Sequence, residues 1–188
     1  KEIDLISEAQ AYFNKRNYFA ALIRFYLANN NNGVAESAFK LKYFTDAAKY
    51  FELAGNHFQA AQSYYRIKKY EKAFSHYLNS PEDEQLKFTS AKKIGRYLKR
   101  EELVYAVESF TAQQKYLQAF VCYQLMRDGL NAGFCQIELG NIEQAYSIWN
   151  RTWGEDPYEA IADRCLEKNI INIGAKYILS LSFDSNSP

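Results

Sequence analysis

A four-position pattern of alanine and large apolar residues recurs five times along this chain, at offsets 0, 3, 4 and 7. These offsets place four side chains on one stripe of a helix that turns every 3.6 residues. The second position is Ala in every copy, and the five copies begin at Tyr18, Phe44, Tyr70, Tyr116 and Ile142. The starts lie 26, 26, 46 and 26 residues apart, which indicates an array of helical repeats rather than one globular core.

A second, weaker series precedes the first and keeps nearly the same step. Its members pair Ala with an aromatic residue four positions later, beginning at Ala9, Ala35, Ala60 and Ala106. Two series in step indicate that the unit is a pair of helices of about ten residues each, joined by turns of two or three. We therefore predict an all-α fold without β-sheet, a right-handed α-solenoid of stacked antiparallel helical hairpins.

Residues typical of helix ends support these boundaries. Gly55-Asn56 and Gly140-Asn141 each place a Gly that tolerates a left-handed conformation before an N-capping Asn. Ser80-Pro81 and Asp156-Pro157 predict helices that begin near residues 81 and 157. The Asn-rich run 29–33 is expected to be a turn between repeats.

The step of 46 residues marks an irregular unit at about 80–102, six residues shorter than a standard one. One long helix or two very short ones could fill it. Ala91, Ile94 and Leu98 form a stripe of their own, which favours two helices broken around Thr89-Ser90. We treat residues 1–188 as a single solenoid segment, and since residue 1 is not Met we expect it to come from a longer chain.

The residues 54–65 and 70–74, with their alternating Ala and aromatic positions, resemble tetratricopeptide-like helical hairpins. The likeness is closest to the short, aromatic-rich hairpins of coat and intraflagellar-transport subunits and of some large helicase or NTPase proteins. A standard tetratricopeptide unit has 34 residues and ends its second helix with Pro, whereas this unit has 26 and lacks that Pro. The resemblance implies an interaction scaffold, and no peptide-clamping residues carry over.

Charge and cysteine content narrow the class of protein. The net charge of +1 gives no overall attraction to nucleic acid or to an anionic membrane. Cys122, Cys135 and Cys165 fit neither a disulfide framework nor a closely spaced metal motif, so we expect a reducing, cytoplasmic location. No stretch reaches the roughly 20 apolar residues of a membrane span, and we expect no membrane insertion.

The sequence offers little that could catalyse a reaction. His57 and His76 are expected to be structural or solvent-facing, and Cys122 and Cys165 to be buried packing residues. No Gly-rich phosphate loop, nucleophile elbow or metalloprotease helix is present. We predict a protein that is not an enzyme and that needs no cofactor or metal.

One charged feature stands above background, and it lies within the irregular unit. Positions 92, 96, 99 and 100 would share a helix face opposite the apolar stripe, and the full set, the basic ridge, comprises Lys87, Lys92, Lys93, Arg96, Lys99 and Arg100. It is either a solvated face partly neutralised by acidic neighbours or a docking patch for an acidic peptide, a phosphate or an RNA backbone.

Stacked hairpins create a long surface that can hold an extended peptide or a neighbouring subunit. We therefore expect a non-enzymatic protein interaction scaffold within a larger complex. A nucleic-acid-binding or helicase-associated module that uses the basic ridge is the alternative. A spacer or sensor arm of a multidomain NTPase is a third possibility.

Overall fold

The computed structural model describes residues 2–151 and 157–184, and every regular element within these residues is an α-helix. The helices are α1 Glu2–Asn14, α2 Tyr18–Leu27, α3 Asn31–Lys40, α4 Phe44–Leu53, α5 His57–Arg66, α6 Tyr70–Leu78, α7 Glu84–Gly95, α8 Arg100–Ala112, α9 Tyr116–Met126, α10 Gly129–Glu138, α11 Ile142–Asn150, α12 Tyr158–Glu167 and α13 Ile171–Asp184. The all-α class and the short helices are confirmed. From α2 to α6 each helix has 9 or 10 residues, as the repeat predicts.

The chain divides into two compact units, residues 1–102 and 103–188. In the first unit each helix from α1 to α7 packs against the next one along the chain. In the second unit contacts join α9 to α10, α10 to α11 and α12 to α13. Packing between successive helices is the arrangement of a helical repeat. The continuity of residues 1–188 as one segment of a longer chain stays a prediction.

The repeated pattern supplies the buried core in both units. Alanine at its second position is fully buried in every copy: Ala21, Ala47, Ala73, Ala119 and Ala145. A small side chain lets the neighbouring helix approach closely, and aromatic residues such as Phe51 and Trp149 fill the space beside it. The repeat stripe is therefore scaffold.

Most connections in the described chain share one backbone geometry. A residue in the left-handed conformation follows the helix, and the next N–H donates to the carbonyl five residues earlier, as Asn56 does to Phe51 at 2.8 Å. In the first unit these residues follow α1 to α5 at thirteen-residue steps: Arg16, Asn29, Lys42, Gly55 and Lys68. The connections after α6 and α7 lack a left-handed residue, so the regular 26-residue unit of two similar halves ends at the irregular unit.

The predicted caps are correct at most of these turns. Gly55 and Gly140 have φ of +70° and +79°, and the side chain of Asn56 accepts a hydrogen bond from the Gln59 N–H at 3.2 Å. The run 29–33 is a turn leading into α3, capped by Asn30. Asn141 lies at the N-cap position of α11 as predicted, but its side chain makes no capping hydrogen bond and its amide donates to Gln136 Oε1.

The irregular unit differs from prediction in two respects. Residues 84–95 form one helix, α7, which runs through Thr89-Ser90 without a break. Neither residue is a Gly or Pro, and their modest helix propensity is overridden by the burial of Ala91 and Ile94 on one stripe.

The start of this helix also lies later than Pro81 suggests. Asp83 caps α7 because its carboxylate accepts from two backbone N–H groups, those of Gln85 and Leu86, whereas Ser80 accepts only from Glu82 within the preceding turn. The second predicted start agrees closely, since α12 begins at Tyr158. Asp156, its proposed cap, lies outside the described residues.

Candidate basic interface

Alternate connections of the first unit lie at the same end of the helix array. Successive helices are joined by short turns and pack against each other, so they run antiparallel. The connections α1–α2, α3–α4, α5–α6 and α7–α8 therefore share one end, and the other three share the opposite end. Two contacts confirm this placement, since Arg66 lies 5.9 Å from the ring centroid of Phe44 and Tyr70 stacks on Tyr97 with centroids 4.5 Å apart.

Cations concentrate at the first of these ends. We call the set the basic edge, and it comprises Lys15, Arg16, Lys40, Lys42, Arg66, Lys68, Lys69, Lys92, Lys93, Arg96, Lys99 and Arg100. All of these residues are exposed, and they are twelve of the 23 Lys and Arg in the chain. The three connections at the opposite end contain neither Lys nor Arg, and the helix turns that adjoin them add Arg24 and Lys87. The cations of the first unit are therefore concentrated at one end, although the net charge of the chain is close to zero.

Three cations of the basic edge occupy the same backbone position one repeat apart. Arg16, Lys42 and Lys68 are the left-handed residues of their turns, with φ of 61°, 67° and 58°. At the opposite end the same position is held by Asn29 and Gly55, residue types that tolerate this conformation. Lys and Arg have no such preference, and in the second unit Gln114 and Arg127 also adopt this conformation. What distinguishes Arg16, Lys42 and Lys68 is that all three are cations at the same end of the first unit.

The basic ridge predicted from the sequence is partly correct in its location. Its members Lys92 and Lys93 lie in the last turn of α7, Arg96 caps that helix, and Arg100 begins α8. The helix ends at Gly95, so positions 92, 96, 99 and 100 do not share one helical face as predicted. They surround the α7–α8 connection, where they continue the basic edge.

Lys87 does not belong with the other five residues of the ridge. It lies in the first turn of α7, at the opposite end of the array, and is half-buried. Its ammonium is 3.5 Å from the carbonyl oxygen of Ser80 and 5.2 Å from the ring centroid of Phe88. These contacts account for Lys87 within the fold.

Acidic residues near the basic edge are few and are placed at helix starts. Asp46, Glu71 and Glu101 lie in the first turns of α4, α6 and α8, where the helix dipole favours negative charge. Glu102 accepts a hydrogen bond from the backbone N–H of Lys99 at 2.7 Å. The edge therefore has an excess of cations, interrupted by carboxylates rather than continuous.

The two histidines meet in the first unit, which the sequence did not indicate. His57 at the start of α5 and His76 in α6 face each other with their Nδ1 atoms 3.0 Å apart. The ring centroids are 5.3 Å apart, which is the N–N distance plus roughly the radius of each ring. The rings are therefore edge to edge rather than stacked, and the Nδ1–H of one ring donates a hydrogen bond to the Nδ1 of the other.

Glu52 of α4 completes this polar cluster. Its Oε1 lies 2.7 Å from His76 Nε2 and accepts a hydrogen bond from the Tyr64 hydroxyl at 2.9 Å. Burial lowers the pKa of His76 and outweighs the opposing effect of Glu52. Burial acts to raise the pKa of Glu52, but hydrogen bonds from Tyr64 and His76 outweigh it and the pKa lies below its ordinary value. The predicted structural role of both histidines fits these contacts between α4, α5 and α6.

The cysteines are free and buried, as the sequence indicates for Cys122 and Cys165. Burial raises the pKa of Cys122 to about 12 and that of Cys135 to about 11, so these thiols are protonated at neutral pH. Within the described part of the chain, no three His, Cys, Asp or Glu side chains are grouped so that they could hold a metal ion. The described helices also include none long and apolar enough to cross a membrane.

Sequence reasoning found five of the twelve residues of the basic edge, all of them at the α7–α8 connection. The missing signal was the alternation of charge between successive turns: basic at 15–16, uncharged at 28–30, basic at 40–42, uncharged at 54–56 and basic at 66–69. That alternation, combined with antiparallel packing, predicts that the cations share one end. The histidine contact has no comparable signal, because it depends on how α5 and α6 pack.

Comparison with protein-family models, with curated proteins and with solved structures found no match to this chain.

Proposed function

We propose that this protein is a non-enzymatic interaction scaffold whose basic edge binds an acidic segment of a partner protein within a larger cytoplasmic complex. The observation that carries the proposal is the column Arg16, Lys42 and Lys68, which repeats a cation at an unfavourable backbone position in three alternate turns, one per hairpin. A partner that spans several hairpins would meet one such cation per hairpin. The rigid stacking of α1 to α7 would hold these charges at fixed spacing.

A protein partner fits this edge better than a nucleic acid does. Carboxylates at Asp46, Glu71 and Glu101 interrupt the cations, and they would repel a continuous phosphate backbone while leaving room for spaced acidic side chains. The near-neutral net charge supplies no long-range attraction for a polyanion. Exposed apolar side chains of α2 adjoin the edge, and these can pack against apolar side chains of a protein partner.

The test is the binding of a fluorescent oligoglutamate peptide at low salt, with single-stranded RNA of equal charge in parallel. The triple variant Arg16→Glu, Lys42→Glu, Lys68→Glu removes three favourable charges and adds repulsion. At roughly 0.5 kcal/mol for each exposed pair, the three losses total about 1.5 kcal/mol, so we expect at least about tenfold weaker peptide binding. The matched control reverses three exposed cations of the second unit, Arg127, Arg151 and Lys176, and should change binding by less than about twofold.

Three results would count against the proposal. Peptide binding that is absent at low salt, or that is insensitive to added salt, excludes electrostatic docking at this edge. Equal losses in the two triple variants show that overall charge, and not the edge, attracts the peptide. RNA binding that is tighter than peptide binding and lost in the edge variant favours the nucleic-acid alternative instead.

A further inference from the structure

An apolar stripe on the outer face of α2 has no role in the fold. Phe19, Ile23 and Leu27 lie at offsets 0, 4 and 8 of this helix and are 64%, 40% and 59% exposed. The buried face of the same helix, with Ala21 and Phe25, lies on the other side. A helix that is apolar on both faces is normally covered on both, so the outer stripe calls for a partner.

Comparison with the next helices of the array shows that the repeat does not require these residues. One repeat later, the positions of Phe19 and Ile23 are held by Thr45 and Lys49 in α4, and two repeats later by Glu71 and Ser75 in α6. All four are exposed although helices lie before and after both α4 and α6 in the array. A neighbouring repeat therefore does not cover this face. The third position is apolar in α4 as well, where Leu53 is 68% exposed, but the run of three apolar residues is found in α2 and not in α4 or α6.

The stacking edges of α2 are occupied by other residues. Arg24 faces α1, where its guanidinium lies 3.0 Å from Glu8 and over the ring of Tyr12. Tyr26 faces α4, because it shares a cleft with Tyr50. The stripe lies between these two edges, about 12 Å long at 1.5 Å per residue, which is the length of two helical turns.

The two ends of the stripe differ in chemistry. Phe19 lies three residues after Arg16, so the stripe begins at the basic edge. At its far end Leu27 and Tyr26 line a cleft of about 250 Å³, together with Asn29, Asn31, Val34 and Tyr50. The surface thus runs from cations, across apolar side chains, to a recess large enough for one apolar group.

We propose that this stripe, the α2 surface, docks an amphipathic helix of the partner protein, with apolar side chains along one face and acidic residues at the end that meets the basic edge. This proposal rests on the proposed function, since it names the chemistry of the same partner. Two turns of a partner helix match the length of the stripe, with apolar residues at offsets 0, 4 and 7 covering Phe19 to Leu27. The final apolar side chain of that helix enters the cleft beside Tyr26 and Tyr50. Lys49, exposed on α4 at the position equivalent to Ile23 one repeat later, supplies a further cation.

The experiment compares two fluorescent helical peptides of identical composition. One has leucines at offsets 0, 4 and 7 with glutamates elsewhere, and the other has the same residues in an order that spreads the leucines around the helix. We expect the first to bind the wild-type chain at least about tenfold more tightly, because only it presents one apolar face. The variant Phe19→Thr, Ile23→Lys, which copies Thr45 and Lys49 of α4, should abolish that difference while leaving thermal unfolding unchanged.

Matched measurements separate this proposal from the more general one. Oligoglutamate binding should weaken about tenfold in the edge variant but be kept in Phe19→Thr, Ile23→Lys, so failure of the α2 surface leaves the basic edge intact. The control Leu166→Ala removes an exposed leucine of the second unit and should bind both peptides as the wild type does.

Several outcomes would overturn the assignment. Equal binding of the two peptides, or amide resonances of residues 19–27 that do not shift when the amphipathic peptide is added to wild-type protein, excludes docking on α2. The resonance measurement decides the matter even if the variant fails to fold. A wild-type chain that dimerises and becomes monomeric in the variant assigns the α2 surface to a second copy of this chain instead.

Discussion

Replacing Lys42 by glycine should stabilise the fold and weaken partner binding at the same time. Lys42 ends α3 with φ of +67°, a conformation that costs an L-residue roughly 1–2 kcal/mol and glycine almost nothing. Glycine also increases the conformational entropy of the unfolded chain, which offsets roughly 0.4–1 kcal/mol of that gain in folding stability. The net gain is about 1 kcal/mol, or a melting temperature about 2–4 °C higher for a chain of this size.

Gly55 offers the matched control at the opposite end of the array. It has the same left-handed conformation, and a Cβ added there would meet nothing within 4 Å. Gly55→Ala therefore introduces backbone strain without a steric clash and should destabilise the chain by about 1 kcal/mol. The two variants together measure how a side chain at this turn position changes the free energy of unfolding. One variant removes a cation, and the other involves no charge.

The binding assay tests why the cation is there. The double variant Lys42→Gly, Lys68→Gly removes two cations from the basic edge, at roughly 0.5 kcal/mol each, so oligoglutamate should bind about fivefold more weakly. Thermal denaturation should show that the same protein melts higher than the wild type. A double variant that melts lower, or that binds the peptide as tightly as the wild type, would refute the view that these cations are kept for recognition at a cost in stability.

Two further predictions concern the interior of the fold. Acid should destabilise the first unit: because the pKa of His76 is lowered from its ordinary 6.5, the unfolded chain takes up protons first, and the unfolding free energy should fall as pH falls below that value. Urea denaturation at pH 7.5 and 5.5 checks this. The unfolding free energies at these two pH values should differ less in His76→Gln than in the wild type. Ala73→Leu or Ala119→Leu should overpack a fully buried helix contact and lower stability by roughly 1–3 kcal/mol, and an unchanged melting temperature would contradict the interface assignment.

The fold was largely predictable because its determinants are local and repeated. A buried Ala such as Ala47 recurs with aromatic neighbours at helical spacing, and Gly55-Asn56 marks a turn by well-known preferences. The left-handed Lys42 and Lys68 gave no such signal, since lysine has no preference for that conformation. Thr89 and Ser90 predicted a helix break that is absent, because burial of the adjacent stripe of α7 outweighs their weak helix propensity.

The candidate site was less predictable because it depends on which turns share an end. Lys92 and Arg96 stood out as a local cluster, whereas Arg16 and Lys42 lie in separate turns and become neighbours of that cluster only through antiparallel packing. The contact between His57 and His76 is of the same kind, since nineteen residues of chain separate two side chains that are joined by a hydrogen bond. Local patterns identify elements, and the site arises from their juxtaposition.

The thirteen-residue step of the turns also limits how such a chain can change in length. Duplicating one helix with its turn would move every later lysine turn to the opposite end, and so divide the cations between two surfaces. Duplicating a hairpin of 26 residues keeps each charge where it was and adds one more cation in line with Arg16, Lys42 and Lys68. A binding surface built in this way can lengthen only by whole hairpins, and the partner segment that it recognises would have to lengthen in equal increments.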